Sequence, residues 1–422
     1  MRRRELLRSL WATPLLASPS LRGLPPLTIK DVKVIATSAG RNYRWIFVKI
    51  ITSEPGLYGI GSASNHFQPH AVIAAIEKHL APFLIGKNPE QIEDLWQSSH
   101  LRTYWRNGPV NNNVLSGMDM ALWDIKGKRA GMPVYELLGG KVRDAVPCYD
   151  HCGGNTREAI IDSVQKSIAK GFRHIRIQMG NYGGGGFIPN GRGGQAFDED
   201  VYLETIPPLF EYVRAKLGFS PKLCHDVHSH LSGINAVEFS RRMQPYQMFF
   251  IEDVLSPEQL AWYKQIRQNS TTAQAVGELF THPFEYLPLV SERLIDFVRC
   301  RVSSIGGITP ARKLATFCEP YGVRTAFQEG GDNDPVNQLA AYHVDISHPA
   351  FGIQEESNFP DAAKEVVTGT AEIRNGYLYG NGKPGLGMDV NETLAAKYPI
   401  QPAPQGYHYP LDRAPDGTVV KP

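Results

Sequence analysis

Three acidic residues follow three short apolar runs at an even spacing. Asp226 ends the run KLCHD, Glu252 ends FFIE 26 residues later, and Glu278 follows AQAVG after another 26 residues. If these runs are neighbouring parallel strands, the three carboxylates converge, and their mutual repulsion calls for a cation. Oxygen ligands suit Mg²⁺ better than zinc. A helix cap or a salt bridge would explain one such residue but not three, so the spacing predicts an Mg²⁺ site.

Eight β-rich runs, separated by amphipathic helical stretches, provide the strands that would position these carboxylates. They occupy residues 146–151, 173–178, 222–228, 248–253, 273–278, 296–300, 323–328 and 351–356. Such alternation needs right-handed crossovers and a parallel sheet. Eight repeats predict an α/β fold built on a closed (β/α)₈ barrel. An open doubly wound sheet is the alternative, but no run is followed by the sequence GxGxxG.

Other polar residues also stand at the ends of the predicted strands. Because the C-terminal ends of barrel strands converge on one site, these residues become candidates for it. They are His151, Arg176, His228, Gln328 and Glu355. A structural role is the alternative for each, such as an orienting hydrogen bond for His228 or a salt bridge at the barrel edge for Glu355. His230 is expected at the surface.

Residues 27–145 have a different texture from the barrel. Three alternating strand-like runs lie within 27–63, and the stretch VLSGMDMALWDIKGKRAGMP has helical spacing that ends at Gly131 and Pro133. The pattern predicts an α+β segment. The net charge of +2 and the absence of a basic stripe argue against nucleic-acid binding, and no apolar run is long enough to span a membrane. The five cysteines lack the spacing of a zinc site and are expected in the core.

The first 26 residues begin MRRRELLRSLWATPLLASPS, with an arginine cluster, a short apolar run and small residues. This pattern resembles a twin-arginine export signal and predicts an exported, periplasmic protein. The alternative is a basic tail on a cytoplasmic protein. The glycine-rich stretch 180–197 lacks the Lys-Ser/Thr of a phosphate-binding loop, so it is expected to form a lid over the barrel.

The carboxylate set and several motifs together resemble the enolase superfamily (mandelate racemase/muconate lactonizing enzyme family). Within it the chain looks like the mannonate dehydratase group, which includes the starvation-sensing RspA-type proteins. The motifs are YWRNGPV, MDMALWDIKGK, HDVH, FFIED, AVGE, GGIT, FGIQE and KPGLG. The resemblance implies a capping domain over residues 27–145, a modified barrel over 146–375, and a C-terminal segment, 376–422, that returns to the cap.

The resemblance also implies the chemistry of the site. Mg²⁺ held by Asp226, Glu252 and Glu278 would stabilise the enediolate formed when a proton is removed α to a carboxylate. His228 would be the general acid that expels the β-hydroxyl, with Arg176 on the base side. His151 and the cap-loop residues Asn65 and His66 would contact a sugar-acid substrate. A homo-oligomer is expected.

Two positions depart from the family pattern. Ile188 stands twelve residues after Arg176, where the dehydratases place a tyrosine, and the nearest tyrosine is Tyr182. Gln328 occupies the place of a seventh-strand histidine and cannot do acid–base work at neutral pH. Glu329 could transfer a proton, but successive strand residues face opposite sides of the sheet.

The sequence therefore predicts an Mg²⁺-dependent dehydratase that acts on a sugar acid. His228, Arg176 and Tyr182 are the candidate catalytic residues. Two alternatives remain open. One is a racemase or epimerase, although no lysine stands at the end of the second strand. The other is a sugar-acid-binding or regulatory protein that has lost turnover along with the tyrosine and the histidine.

Overall fold

The computed structural model describes residues 23–39, 43–190, 194–400 and 412–420. Most of the predicted export signal, residues 1–22, lies outside the described residues. The described chain forms an α+β cap followed by a closed barrel. This is the predicted fold class, and the prediction is confirmed.

The cap is an antiparallel three-stranded sheet covered by helices. In chain order its elements are β1 (Ile29–Thr37), β2 (Trp45–Thr52), β3 (Tyr58–Ser62), α1 (Pro69–Ala75), a π-helical turn (Ile76–Leu80), α2 (Ala81–Leu84), α3 (Ile92–Leu101), α4 (Pro109–Ala130) and α5 (Val134–Leu137). The long helix α4 ends at Gly131, which adopts a left-handed φ of 66°, as the Gly-x-Pro signal predicts. Its apolar face, including Met118 and Leu122, is buried against the sheet.

The eight predicted strands are all present and form the barrel. Together with the strands of a hairpin, β6 and β7, they are β4 (Val146–Gly154), β5 (His174–Met179), β6 (Phe187–Pro189), β7 (Gln195–Phe197), β8 (Lys222–Asp226), β9 (Phe250–Glu252), β10 (Gln274–Val276), β11 (Phe297–Val298), β12 (Arg324–Thr325) and β13 (Gln354–Glu355). Neighbouring barrel strands pair in parallel, and β13 pairs with β4. A parallel bridge between Thr325 and Phe351 completes the ring.

Within the described chain, seven helices lie between successive barrel strands. They are α6 (Arg157–Ala169), α7 (Glu199–Leu217), α8 (Gly233–Met243), α9 (Tyr263–Asn269), α10 (Pro283–Ser291), α11 (Ile308–Cys318) and α12 (Pro335–Ser347), with 3₁₀ turns at Gln244–Tyr246, Pro257–Trp262 and Glu319–Tyr321. Side-chain oxygens cap several of them: Asp198 accepts from two backbone N–H groups at the start of α7, and Asp334 does the same for α12. The hairpin β6–β7 forms the far part of the glycine-rich stretch after β5.

The chain after the barrel returns across both parts of the fold. Its elements are α13 (Asp361–Val366), β14 (Val367–Thr368), β15 (Glu372–Arg374), β16 (Tyr377–Tyr379), β17 (Asp389–Val390) and α14 (Glu392–Ala395). Strand β16 pairs antiparallel with β4 of the barrel. Beyond it, the Tyr58 hydroxyl donates to Asp389 at 2.5 Å, and Lys49 forms an ion pair with Glu392 at 2.5 Å. These contacts fasten the C-terminal chain to the cap sheet.

All five cysteines are buried and free of disulfides, as expected for core residues. Among the described residues, no helix is both long enough and apolar enough to cross a bilayer.

Candidate functional site

The barrel interior has a closed apolar layer, and the candidate site lies directly above it. The layer contains Tyr149, Cys224, Phe250, Ala275, Phe297, Ala326 and Ile353, one residue from each of seven strands. Side chains alternate along a strand, so the residue two positions further on points to the same interior. For six of these strands that residue is polar: His151, Asp226, Glu252, Arg299, Gln328 and Glu355. The two-residue alternation of side chains along each strand therefore places these polar residues together at one end of the barrel.

The strand β10 reaches the site by a different route. Glu278 lies three residues after Ala275, which would place it on the wrong face of a regular strand. Gly277 precedes it with a φ of 133°, a backbone conformation that side-chain-bearing residues rarely adopt. This turn of the chain lets Glu278 join the other carboxylates.

Two buried arginines hold the predicted carboxylates together. Arg176 Nη1 lies 3.3 Å from Asp226 Oδ2 and 2.9 Å from Glu252 Oε1. Arg299 contacts Glu252 at 3.0 Å and Glu278 at 3.0 Å, and it also pairs with Glu355. Asp226, Glu252 and Glu278 therefore belong to one charged cluster.

The composition of the cluster fits a cation. Burial raises the pKa of Glu252 and of Glu278 above the ordinary range, so a cation would restore their charged form. Glu252 Oε2 is buried and accepts no hydrogen bond from the described residues, which leaves a carboxylate oxygen available for a metal. Oxygens of Glu252, Asp253 and Glu278 lie within 4.8 Å of one another. This group contains Asp253 and not Asp226, whose carboxylate lies 3.3 Å from Arg176 and 3.3 Å from His228 Nδ1.

Asp253 was not singled out from the sequence. It has a left-handed φ of 38°, and its carboxylate accepts the backbone N–H groups of Gly277 at 2.8 Å and of Glu278 at 3.4 Å. These bonds fix the turn that brings Glu278 to the cluster. A left-handed backbone at a residue with a side chain costs free energy, and such strain concentrates at functional sites.

Arg299 was also missed, although a signal for it existed. Its side chain is fully buried, and the Tyr149 hydroxyl accepts a hydrogen bond from it at 3.0 Å. The run DFVRC places it two residues after the inward-facing Phe297. Applying the strand period to this run would have identified it as a site residue.

Tyr182 and His228 lie face to face beside the cluster. Their rings stack with centroids 4.0 Å apart, and the Tyr182 hydroxyl accepts a hydrogen bond from Arg176 at 3.1 Å. Ile188, at the position where the family places a tyrosine, instead lies in the hairpin opposite Ala196. Tyr182, which lies only six residues after Arg176, is therefore the tyrosine that contacts this arginine.

The charges around this pair set its protonation. Arg176 lowers the pKa of Tyr182, but burial and the nearby carboxylates outweigh it, so the pKa stays above the ordinary value. Burial lowers the pKa of His228. The Asp226 carboxylate, 3.3 Å from Nδ1, raises this pKa by more than burial lowers it, so the net shift is upward. His228 has a φ of 54°, and its N–H donates to Asp226 Oδ1 at 2.7 Å.

His151 is held between Arg176 and Glu355. Arg176 Nη2 lies 3.1 Å from His151 Nδ1, and His151 Nε2 lies 3.0 Å from Glu355 Oε1. A guanidinium can only donate, so His151 Nδ1 accepts a hydrogen bond from Arg176. Nε2 therefore carries the ring proton and donates a hydrogen bond to Glu355. Burial, followed by the charge of Arg176, lowers the pKa of His151, which favours this neutral ring.

The other predicted site residues occupy distinct places. Gln328 is buried, and its Oε1 has no hydrogen-bond partner in the part of the chain that the structure describes. Glu329 faces the opposite side, where Asn333 and Asn337 donate to it. Asn65 and His66 lie buried in the cap loop. Burial lowers the pKa of His66 to about 4, and its Nδ1 accepts the N–H of Arg44 at 3.2 Å.

The prediction that His230 is a surface residue is wrong. Its side chain is buried, with its ring centroid 4.9 Å from that of Phe197. Its Nε2 faces Asp412 at 3.1 Å, a residue 182 positions away in the sequence. Both residues line a cavity of about 560 Å³, which also reaches His151, Arg176 and Tyr182. The cavity opens beside the charged cluster and is large enough for a small organic acid.

Comparisons with known proteins agree with this architecture. The family model described as mandelate racemase/muconate lactonizing enzyme, N-terminal domain, matches residues 25–139, and the enolase C-terminal domain-like model matches residues 159–394. A D-galactonate dehydratase family member from Paenibacillus sp. (strain JDR-2) is 48% identical over 394 residues, covering 90% of this chain and 97% of that protein.

Two comparisons involve Pantoea ananatis. The D-galactonate dehydratase family member RspA is 48% identical over 417 residues, covering 94% of this chain and 99% of that protein. The crystal structure of an enolase with bound D-gluconate and Mg is 47% identical, with a TM-score of 0.89, and covers 94% of this chain and 100% of that one. The chain belongs to the enolase superfamily, with both mandelate racemase/muconate lactonizing enzyme domains, and within it to the D-galactonate dehydratase family.

Proposed function

We propose that this protein is an Mg²⁺-dependent dehydratase of a sugar acid, with a mechanism like that of the mannonate dehydratases. The observation that carries the proposal is the stacked pair of Tyr182 and His228 beside the carboxylate cluster. It offers a base and an acid within one site, next to a place for a metal. The dehydratase names of the relatives and the D-gluconate and Mg in the Pantoea ananatis enolase support it.

The metal would be held by Asp226, Glu252 and Glu278, with Asp253 positioning Glu278. A bound Mg²⁺ supplies neutralisation of the negative charge that develops on the substrate carboxylate as the α-proton leaves. The residues around it then have to move one proton off the α-carbon and deliver another to the β-hydroxyl.

On the base side, Tyr182 first releases its phenol proton to solvent through the cavity that it lines. The phenolate, stabilised by the 3.1 Å contact with Arg176, then accepts the α-proton. A phenol with a raised pKa is a strong base once ionised, and the adjacent guanidinium offsets the cost of its charge. On the acid side, Asp226 favours the protonated form of His228, so the ring can give a proton to the departing hydroxyl near neutral pH. The β-carbon–oxygen bond breaks, water leaves, and the enol product becomes a 2-keto-3-deoxy acid.

The remaining predicted residues would bind the sugar chain. Glu355 offers a carboxylate acceptor, and His151, 3.0 Å from it, offers a neutral ring that lines the cavity. Gln328, with its unpartnered Oε1, can accept from a substrate hydroxyl. Asn65 and His66 would contribute from the cap loop.

A second candidate is a sugar-acid-binding protein without turnover. The observation that favours it is Gln328, which stands where the family carries a histidine and cannot transfer a proton. Under this alternative the metal and the substrate bind, but elimination does not follow.

A panel of sugar acids, including D-mannonate, D-gluconate and D-galactonate, tests both candidates. Purified protein with Mg²⁺ should form a 2-keto-3-deoxy acid from at least one of them. The Tyr182→Phe variant should bind the same acid but lose most of the turnover, because it keeps the ring stack and lacks the proton acceptor. Binding without product in the wild type would favour the second candidate. An active Tyr182→Phe variant would exclude Tyr182 as the base.

A further inference from the structure

The C-terminal residues 412–420 lie over the hairpin β6–β7 and form part of the cavity wall. The N–H of Phe197 in β7 donates to the carbonyl oxygen of Arg413 at 2.7 Å. The N–H of Val420 donates to the carbonyl oxygen of Asp412 at 2.8 Å, which closes this segment on itself. Asp412 thereby reaches the cavity from a part of the chain far from the barrel strands.

The contact between His230 and Asp412 has a defined polarity. His230 Nδ1 lies 3.1 Å from the carbonyl oxygen of Val227 and 2.9 Å from that of His228, so it must carry a proton. Nε2 can then donate to Asp412 only when the ring is doubly protonated. The His230 side chain is 1% exposed, whereas that of Asp412 is 25% exposed. The accessible member of the pair is therefore the carboxylate.

Two histidines separate Asp412 from the proposed metal ligand Asp226. Contacts run from Asp226 to His228, whose ring centroid lies 6.2 Å from that of His230, and then from His230 to Asp412. A substrate whose own carboxylate lies at the metal ligands would extend its hydroxyl chain along the cavity. The end of that chain would approach the wall that Asp412 forms.

We propose that Asp412 is a specificity-determining residue that accepts hydrogen bonds from the distal hydroxyl groups of a monocarboxylic sugar acid and repels a second carboxylate at that end. This inference rests on the proposed function and deepens it, because it selects aldonic over aldaric acids. An accessible carboxylate is a strong acceptor for hydroxyl groups. A like charge placed opposite it is disfavoured, and specificity commonly depends on such a repulsive element.

The Asp412→Asn variant tests the proposal, because it removes the charge with little change in volume. Its amide N–H can donate to Nε2 of a neutral His230 ring, so the segment should stay in place. Calorimetry with Mg²⁺ would measure the dissociation constants of D-gluconate and of D-glucarate, its dicarboxylic counterpart. Asp416→Asn is the matched control, since Asp416 lies in the same segment and accepts the N–H of Thr418 in an exposed turn. Thermal melting would show that both variants are folded.

In the wild type, D-gluconate should bind at least about tenfold more tightly than D-glucarate. Asp412→Asn should reduce the ratio of the two dissociation constants by about tenfold. Asp416→Asn should leave this ratio unchanged. A wild type that binds both acids equally, or an unchanged ratio in folded Asp412→Asn, would overturn the role of Asp412 and leave the proposed function standing. A wild type that binds no sugar acid would overturn the proposed function and this inference with it.

Discussion

At the scale of single residues, the site balances buried charges of both signs. Arg176 and Arg299 lie among four carboxylates, of which those of Asp226, Glu252 and Glu355 are buried and that of Glu278 is partly buried. Unpaired charges in an interior cost several kcal/mol, so each group depends on its neighbours. The excess of carboxylates over guanidinium groups leaves room for one more cation.

Glu252 lies at the centre of this balance, and its replacement tests the metal site. In Glu252→Gln we expect the Mg²⁺ affinity to be lost with little change in side-chain volume. Mg²⁺ at about a hundredfold excess over its dissociation constant should stabilise the wild type by about 2.7 kcal/mol, and this shift in melting temperature should vanish in the variant. The control is Glu329→Gln, which removes a carboxylate that is equally buried but faces Asn333 and Asn337. An unchanged Mg²⁺ affinity in Glu252→Gln would show that the ligand set is wrong.

His228 is the residue whose role is most specific to elimination. In His228→Asn the α-proton should still exchange with deuterated water, because removal of that proton needs only the base and the metal. Dehydrated product should fall by ~10²–10⁴-fold, the usual contribution of a general acid. Mass spectrometry of recovered substrate and product measures both steps. If exchange and elimination disappear together, His228 belongs to the base side or orients the ligand Asp226. If dehydration persists, its role is structural.

The residues of the site could be predicted where a strand pattern pointed to them. Asp226, Glu252, Glu355, His151 and Arg176 follow from position alone, since alternation decides which side chains face the interior. Glu278 is the exception, because the turn at Gly277 brings it to the cluster. His230 and Asp253 could not be found this way. His230 packs on Phe197 and contacts Asp412, which are both distant in sequence, and the function of Asp253 depends on a left-handed φ that no local sequence pattern indicates.

At the scale of elements, one buried contact joins the cap helix α4 to the barrel helix α11. Asp119 accepts the backbone N–H of Thr309 at 2.9 Å and also its hydroxyl. The approach is close: a Cβ on Gly307 would lie 2.5 Å from Asp119 Oδ2, and Gly307 has a φ of 106°. A residue with a side chain at position 307 would therefore separate the two helices or strain the turn.

Asp119 should make stability depend on pH. Burial raises its pKa from 3.8 to about 7 in the folded protein. The folded state thus holds a proton that the unfolded state releases, so this contribution to stability is fully present below pH 3.8 and is lost as pH rises through about 7. We expect the melting temperature of Asp119→Asn relative to wild type to increase between pH 4 and pH 8. A difference that is constant over this range would show that Asp119 is ionised in the folded state.

The order and type of the barrel elements could be predicted because each apolar run is short and is followed by an amphipathic stretch. The hairpin β6–β7 was not predicted. Its strands lie in a glycine-rich stretch with little apolar periodicity, and part of their support comes from the backbone of Arg413. Interactions between distant segments, and not local preference, stabilise it.

At the scale of the whole molecule, the C-terminal chain connects the cap and the barrel. The Thr37 hydroxyl donates to the carbonyl oxygen of Tyr398 at 3.0 Å, and Asp124 in α4 accepts the N–H of Leu386 at 2.8 Å. We therefore expect the two parts to unfold together. The homo-oligomeric state and the domain limits at residues 145 and 375 stay predictions.

The predicted export signal also belongs to this scale. Protein isolated from its native cell should lack the first 20 or so residues, because a cleaved signal ends after the small residues that follow its apolar run. N-terminal sequencing of the purified protein measures this directly. An intact segment Met1–Arg8 on the mature cytoplasmic protein would contradict the twin-arginine interpretation.

The barrel closes at the candidate site, where the last strand, β13, pairs with the first, β4. His151 and Glu355 are in contact there although about 200 residues separate them in the sequence. Contacts between residues so far apart in sequence form slowly, because the loss of chain entropy precedes the gain in contact energy. During refolding, the helices and the early strand pairs should therefore appear before the ring closes. The ability to bind ligand should then return only in the last kinetic phase, after the helical signal has recovered.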